Sequence, residues 1–235
     1  MSRSFSTTMK HFKSVKIKSS KGSSSHQWLT RQSSDPYVEK AKLMNYRCRS
    51  AFKLLEIDDR FQILRPGQTV IDCGASPGSW TQVAVTRVNA DASNSQSPQG
   101  KVISIDKQHI YPINGATILG NMDFTEPQSQ TKIIEYLDGR KADVVISDMA
   151  PSATGVRDLD NDNIIHLCYV ALRFAVQISE TGASFVVKLW QCGQTKQLET
   201  DISRFYGNVK PVKPNSSRSD SAEIFLLGRS FKGLK

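Results

Sequence analysis

Val70-Ile71-Asp72-Cys73-Gly74-Ala75-Ser76-Pro77-Gly78-Ser79-Trp80 joins an apolar run, interrupted by one acid, through a glycine-bearing turn to a helix-forming stretch. The run Thr69–Cys73 reads as a short buried strand and Ser79–Asn89 as a helix. Small residues between them let a ligand come close to the backbone. Two nucleotide-cofactor classes use such a turn. Dinucleotide folds need G-x-G-x-x-G to seat a pyrophosphate on the helix start. Here Ser76 stands where that pattern asks for glycine, and Pro77 stiffens the loop. Asp72, just before the turn, would repel a pyrophosphate. It would suit a cation such as the sulfonium and α-ammonium of S-adenosylmethionine. The charge argument therefore favours a methyl donor over a nicotinamide cofactor, with a ligand-free strand-to-helix turn as the plain alternative. The candidate donor-binding residues are Asp72, Gly74, Ala75, Ser76, Pro77, Gly78, Ser79 and Trp80.

Outward from this turn, strands and helices alternate. Lys101–Asp106, Ala116–Leu119, Ala142–Ser147 and Ala183–Leu189 read as strands. Gln128–Leu137, Asp160–Ser179 and Thr195–Tyr206 read as helices, the second with Ile164, Ile165, Leu167, Leu172, Val176 and Ile178 facing inward. Asn208–Val212 and Ala222–Leu227 follow as two strands with no helix between them. The pattern predicts an α/β, Rossmann-like fold. Its sheet is seven-stranded and mostly parallel with an antiparallel last strand, and helices lie on both faces. Before the sheet, Asp35-Pro36 is a helix start, and an amphipathic helical segment runs over 35–64. Residues 35–235 are expected to form one domain.

Ligands of open α/β sheets bind outside the carboxyl ends of the strands. Asp106 closes the second strand, in reach of a cofactor ribose. Asp148 follows the fourth strand in Ser147-Asp148-Met149-Ala150-Pro151, and Lys188 lies near the end of the fifth in Phe185-Val186-Val187-Lys188-Leu189-Trp190. A lysine after three apolar strand residues is costly unless paired or functional. Glu223 begins the last strand, which reaches the same edge if it runs antiparallel. Lys53, on the segment before the sheet, could close over that edge. For any one of these residues alone, a structural or surface ion pair is an equally good reading.

The chain has a net charge of +9, which favours a polyanionic partner. No apolar run approaches the roughly 20 residues needed to cross a bilayer. Cys48, Cys73, Cys168 and Cys192 are widely spaced and read as free thiols; neither they nor His11, His26, His109 and His166 show metal-ligand spacing, so no metal is expected. Residues 1–34 are basic, serine-rich and free of acids. That composition suits a mitochondrial transit peptide; a basic RNA-binding arm and a plain flexible terminus are the alternatives.

Taken together, Arg49-Ser50-Ala51-Phe52-Lys53-Leu54, Asp72–Trp80, Ser147–Gly155, Phe185–Lys188, Pro214-Asn215-Ser216-Ser217-Arg218 and Ser221-Ala222-Glu223 resemble the FtsJ/RrmJ-type RNA ribose 2′-O-methyltransferases, particularly their mitochondrial and bacterial ribosomal members. The resemblance runs from about Ser25 to Leu227. It implies a catalytic set of Lys53, Asp148, Lys188 and Glu223, with S-adenosylmethionine as methyl donor. Donor contacts are implied from Gly78 and Trp80, from Asp106 to the ribose and from Asp123 and Phe124 around the adenine; Asp148 counts in both sets. It further implies action on large-subunit rRNA or a pre-ribosomal particle, at a uridine, and in the mitochondrial matrix if the arm is a transit peptide; a monomer is expected.

The chemistry such a set must perform is an in-line displacement at a sulfonium methyl by a weakly acidic sugar hydroxyl. A positioned base supplies roughly 10²–10⁴-fold. A lysine can be that base only if its pKa falls from about 10.4 toward neutrality, roughly 4 kcal/mol of differential destabilisation. Lys188 is the candidate base and Lys53 the neighbouring cation; alternatively Lys188 stays charged and stabilises the developing alkoxide. Arg47, Arg49, Lys210, Lys213 and Arg218 are candidate phosphate contacts, each equally readable as a solvated charge. Competing readings are the same chemistry on tRNA or an mRNA cap, a ribosome-assembly factor making little use of catalysis, and a nicotinamide dehydrogenase.

Overall fold

The computed structural model describes residues 35–234; the basic stretch 1–34, with its targeting expectation, lies outside them. Two helices come first, α1 (Pro36–Leu43) and α2 (Ala51–Phe61). The sheet then builds as β1 (Thr69–Cys73), α3 (Ser79–Val88), β2 (Lys101–Asp106), β3 (Ala116–Gly120), α4 (Pro127–Leu137), β4 (Ala142–Ser147), α5 (Arg157–Ile178), β5 (Ser179–Trp190), α6 (Thr195–Phe205), β6 (Tyr206–Val212) and β7 (Glu223–Phe231). Strand order is β3-β2-β1-β4-β5-β7-β6, parallel through β5, with β7 antiparallel to both neighbours.

Every residue of β1 is buried, as expected for a strand flanked on both sides by parallel partners and covered on both faces. One face carries Ile71, Ile103, Val145, Phe185 and Val187 under α4, α5 and α6; the other carries Val70, Val102, Val144, Ile146 and Val186 under α2 and α3. From β1 the chain winds out to β2 and β3, then returns to β4 on the other side. The switch point therefore falls between β1 and β4, where a crevice must open at the carboxyl ends. Cys73 pairs with Ser147 in register, so Gly74 and Asp148 emerge there together.

The structure departs from the pattern reading in four places. Strand β5 begins at Ser179, because Ser179 pairs with Ala142 before the exposed Glu180-Thr181-Gly182 bulges out and pairing resumes at Ser184. Strand β7 runs on to Phe231, since β6 supplies partners for Gly228 and Arg229 that a periodicity argument does not foresee. Helix α5 starts at Arg157, three residues before the Asp160 start read from the pattern. On that helix Leu167 and Val176 are only partly buried, and Cys168, Ala171, Phe174 and Ala175 take inward positions with Ile164, Ile165, Leu172 and Ile178.

Candidate functional site

The glycine turn after β1 is fixed by its surroundings. The N–H groups of Gly74 and Ala75 both donate to the Ile105 carbonyl, at 2.9 and 3.0 Å. Gly74 has φ +78°, and a Cβ there would lie 2.3 Å from Met149 Cγ, so the chain after β4 crosses directly over it. Gly78 has φ +110°, and a Cβ there would lie 2.7 Å from Arg47 Nη1. The Arg47 guanidinium donates to the carbonyls of Pro77, Tyr111 and Pro112, each at 2.8 Å. Arg47 thus clamps two loops together, which corrects its reading as a free phosphate contact. Lys213 likewise donates to the Ser221 carbonyl at 2.8 Å, and Arg49 to that of Ser216 at 2.6 Å.

At the switch point lies a cavity of about 400 Å³, within the range of small-molecule sites. Of the sequence-derived donor candidates, Gly74, Ser76, Asp106, Asp123, Phe124 and Asp148 line it. Asp106 accepts the N–H groups of Ser76 at 2.9 Å and Gln108 at 2.7 Å, which aims its carboxylate along the wall. Asp123 accepts both the N–H and the hydroxyl of Thr125, and those bonds hold its carboxyl below the usual range. Asp72, Ala75, Gly78, Ser79 and Trp80 are buried and do not line it, and the exposed Pro77 does not line it either. Trp80 is buried against Phe225 and donates its indole N–H to the Ser50 carbonyl at 2.8 Å. The Ser79 hydroxyl lies 3.0 Å from Cys48 Sγ.

Asp72 is fully buried, accepts from Thr81 Oγ1 at 2.7 Å, and is pushed up to about 7 by burial. It is therefore not an anion exposed to the cavity. The negative charge that the sequence argument assigned to Asp72 is carried by Asp106, Asp123 and Asp148. Three carboxylates in one cavity, against Lys107 and His166, still disfavour a pyrophosphate. The sequence reading missed Lys107, Gln108, Thr125, Asn163 and His166 on the wall. Asn163 and His166 sit three residues apart on α5, a polar spacing within its apolar stripe that could have marked them.

Beside the cavity, Lys53, Asp148, Lys188 and Glu223 come together from four separate elements. Lys188 pairs with Asp148 because Val187 is in register with Ser147; Nζ lies 3.0 Å from Oδ1 and also donates to the Asp148 carbonyl. Lys53 reaches over from the buried face of α2 and meets Glu223 Oε2 at 2.7 Å. Two hydroxyls complete the cluster: Ser50 donates to Asp148 Oδ2 at 2.5 Å and Ser217 to Glu223 Oε1 at 2.8 Å. Burial by itself would raise the Asp148 carboxyl. The charges of Lys188 and Lys53, with the Ser50 hydroxyl, outweigh it and hold the group below the ordinary carboxylate range. An anion that lines the acidic cavity and two buried lysines are thus kept together beside it, an arrangement suited to orienting a hydroxyl for transfer chemistry.

In sequence and fold the chain is similar to known proteins. A 210-residue stretch is 60% identical to the mitochondrial rRNA methyltransferase 2 of Drosophila melanogaster, covering 89% of this chain and 84% of the fly protein. Identity to the ribosomal RNA large subunit methyltransferase E of Cereibacter sphaeroides is 43% over 221 residues, 93% of this chain and 90% of that one. A crystal structure of a putative ribosomal RNA methyltransferase from Plasmodium falciparum superposes with a TM-score of 0.70 at 28% identity, covering 80% of this chain and all of that one. Residues 46–231 match the FtsJ-like methyltransferase family, and the chain belongs to that family of enzymes.

Proposed function

We propose that this enzyme transfers a methyl group from S-adenosylmethionine to a ribose 2′-hydroxyl of large-subunit ribosomal RNA. The observation that carries the reading is the convergence of Lys53, Lys188 and Glu223 with Asp148, which lines the cavity. The similar proteins from fly and bacterium are both named as ribosomal RNA methyltransferases, which supports the substrate class. The fly protein is also named mitochondrial, and with the acid-free basic composition of residues 1–34 this supports action in the mitochondrial matrix. The family match over 46–231 supports reading 35–235 as one catalytic domain.

The cavity fits the donor. On this reading Asp106 would accept ribose hydroxyls and Asp123 and Phe124 would border the adenine, supported by their positions on the cavity wall, whose acidity suits an ammonium and a sulfonium. When bound, the donor would supply an activated methyl carbon; the acceptor oxygen bonds to it as the carbon–sulfur bond breaks, the hydroxyl proton passes to solvent, and the sulfur leaves neutral. Asp148 stays anionic beside Lys188, and the Lys188 ammonium, held by two oxygens of Asp148, stabilises the alkoxide as it develops. Lys53, tied to Glu223, adds a second positive charge near the same point.

Mapping ribose methylation in ribosomal and transfer RNA after depletion of the protein tests the reading. Loss of one large-subunit mark, expected at a uridine, supports it. An unchanged rRNA map with a missing tRNA mark overturns it.

A further inference from the structure

A second recess, of about 370 Å³, opens beside the catalytic cluster, lined in part by Arg157, Asn161, Trp190, Gln191, Ser221 and Ala222. The strand register puts it next to the reacting groups. Trp190 pairs with Glu223, Gln191 N–H donates to the Ala222 carbonyl at 2.8 Å, and Glu223 N–H donates to Ser221 Oγ at 3.1 Å. The loop 148–156 separates this recess from the donor cavity, giving residues 148–152 to one and Gly155 to the other. Asp160 pins that partition by accepting Thr154 N–H and hydroxyl, both at 2.7 Å, and Gly155 N–H at 3.2 Å. The reacting groups thus stand between the two hollows, with Asp148 lining the first and Glu223 directly following Ser221 and Ala222 of the second.

We propose that this recess seats the base of the acceptor nucleotide, with the Trp190 indole as its stacking platform. The inference rests on the reading of the chain as an RNA ribose methyltransferase. Trp190 is half-buried, with part of its ring packed on the core and part forming the wall. The side-chain amides of Asn161 and Gln191 offer donors and acceptors for a base edge. Arg157 is exposed and makes no ion pair with another described residue. Val156 and Leu159, 59% and 48% exposed, add an apolar shoulder on the same segment. A phosphate site would gather cations and N–H donors. Here one arginine shares its helix and the recess wall with the carboxylate of Asp160, beside an indole and two amides, which matches an unstacked base.

The test uses the full-length chain with S-adenosylhomocysteine bound, titrated with penta-uridylate and followed by tryptophan fluorescence. The wild type is expected to show quenching. Trp190→Ala weakens penta-uridylate binding about tenfold, the scale of losing one base–aromatic stack, with unchanged S-adenosylhomocysteine affinity. It also raises KM for rRNA more than it lowers kcat. Trp190→Phe, which keeps an aromatic face, restores most of the affinity but not the quench. The proposal is overturned if Trp190→Ala binds penta-uridylate as the wild type does, if quenching persists in Trp190→Phe, or if Trp190→Ala loses cofactor-product affinity to the same degree. A Trp190-dependent quench in a wild type that transfers no methyl to rRNA supports the recess and overturns the substrate reading alone.

Discussion

Lys53 on α2 and Glu223 at the start of β7, 170 positions apart, form an ion pair at 2.7 Å with side chains only 11% and 13% exposed. The pair ties the helical segment that precedes the sheet to the strand that ends it. The same Glu223 accepts from Ser217, and Lys53 lies 5.8 Å from the Phe225 ring centre, so the contact is part of a packed cluster.

Removing either partner strands the other at a site with little water. Lys53→Ala and Glu223→Ala should each lower stability by about 1–3 kcal/mol, the scale of a lost charged hydrogen bond. The double variant should lose less than the sum, with a coupling of about 1–2 kcal/mol in urea denaturation. Additive losses would show that the pair contributes nothing as a pair.

Lys188 separates two chemistries. Lys188→Ala should reduce single-turnover methyl transfer by about 10²–10⁴-fold with donor affinity nearly unchanged. Lys188→Arg keeps the charge but is no proton acceptor near neutral pH. Substantial activity is expected in that variant, as for a charged stabiliser; a loss equal to that of alanine would overturn this and make Lys188 the base.

Asp72 makes stability depend on pH. Its folded carboxyl is raised from 3.8 to about 7 by burial, so the native state holds the proton more tightly than the unfolded chain. The group's contribution is fully present below about pH 4 and is lost as pH rises through 7, by up to about 4 kcal/mol. Asp148, whose folded carboxyl is lowered, acts with the opposite sign and loses its contribution as pH falls through the acid range. Asp72→Asn should flatten the decline between pH 4 and 7, as read from urea midpoints at each pH; an unchanged slope would remove Asp72 as its source.

Gly74 and Gly155 form a matched pair of tests. Both have positive φ, +78° and +82°, but only at Gly74 does a Cβ meet another group, 2.3 Å from Met149 Cγ. Gly155→Ala should cost about 1–2 kcal/mol from backbone strain alone. Gly74→Ala should cost more and weaken donor binding in calorimetry, because the wall of the cavity must move.

Arg47→Ala should destabilise the fold by about 1–2 kcal/mol, since three carbonyls lose their shared donor. The salt dependence of RNA binding should stay the same, because a guanidinium spent on carbonyls releases no counterions from phosphate. A reduced salt slope would restore its reading as a phosphate contact.

Much of this architecture was legible in the chain itself. Thr69–Cys73, Lys101–Asp106 and Ala142–Ser147 have the boundaries read from the pattern, because buried parallel strands are short apolar runs with polar stops. The two consecutive strands at the end implied the antiparallel β7, and that direction brings Glu223 to the rim where Lys188 lies. What the pattern could not carry was partnership. Asp72 and Asp106 both belong to β-strands near the same edge, yet one is sealed against Thr81 and the other faces the cavity.

Local sequence, then, determined the strand–helix alternation, the glycine turn and the set of acids and lysines, because periodicity and turn chemistry act over a few residues. Tertiary structure alone decided that Arg47 is a clamp, that Asp72 is hidden and that Trp190 walls a recess beside Glu223. Those outcomes depend on which side chain stands opposite which across strand register and helix packing, between residues tens to more than a hundred positions apart, and on how much water that apposition removes.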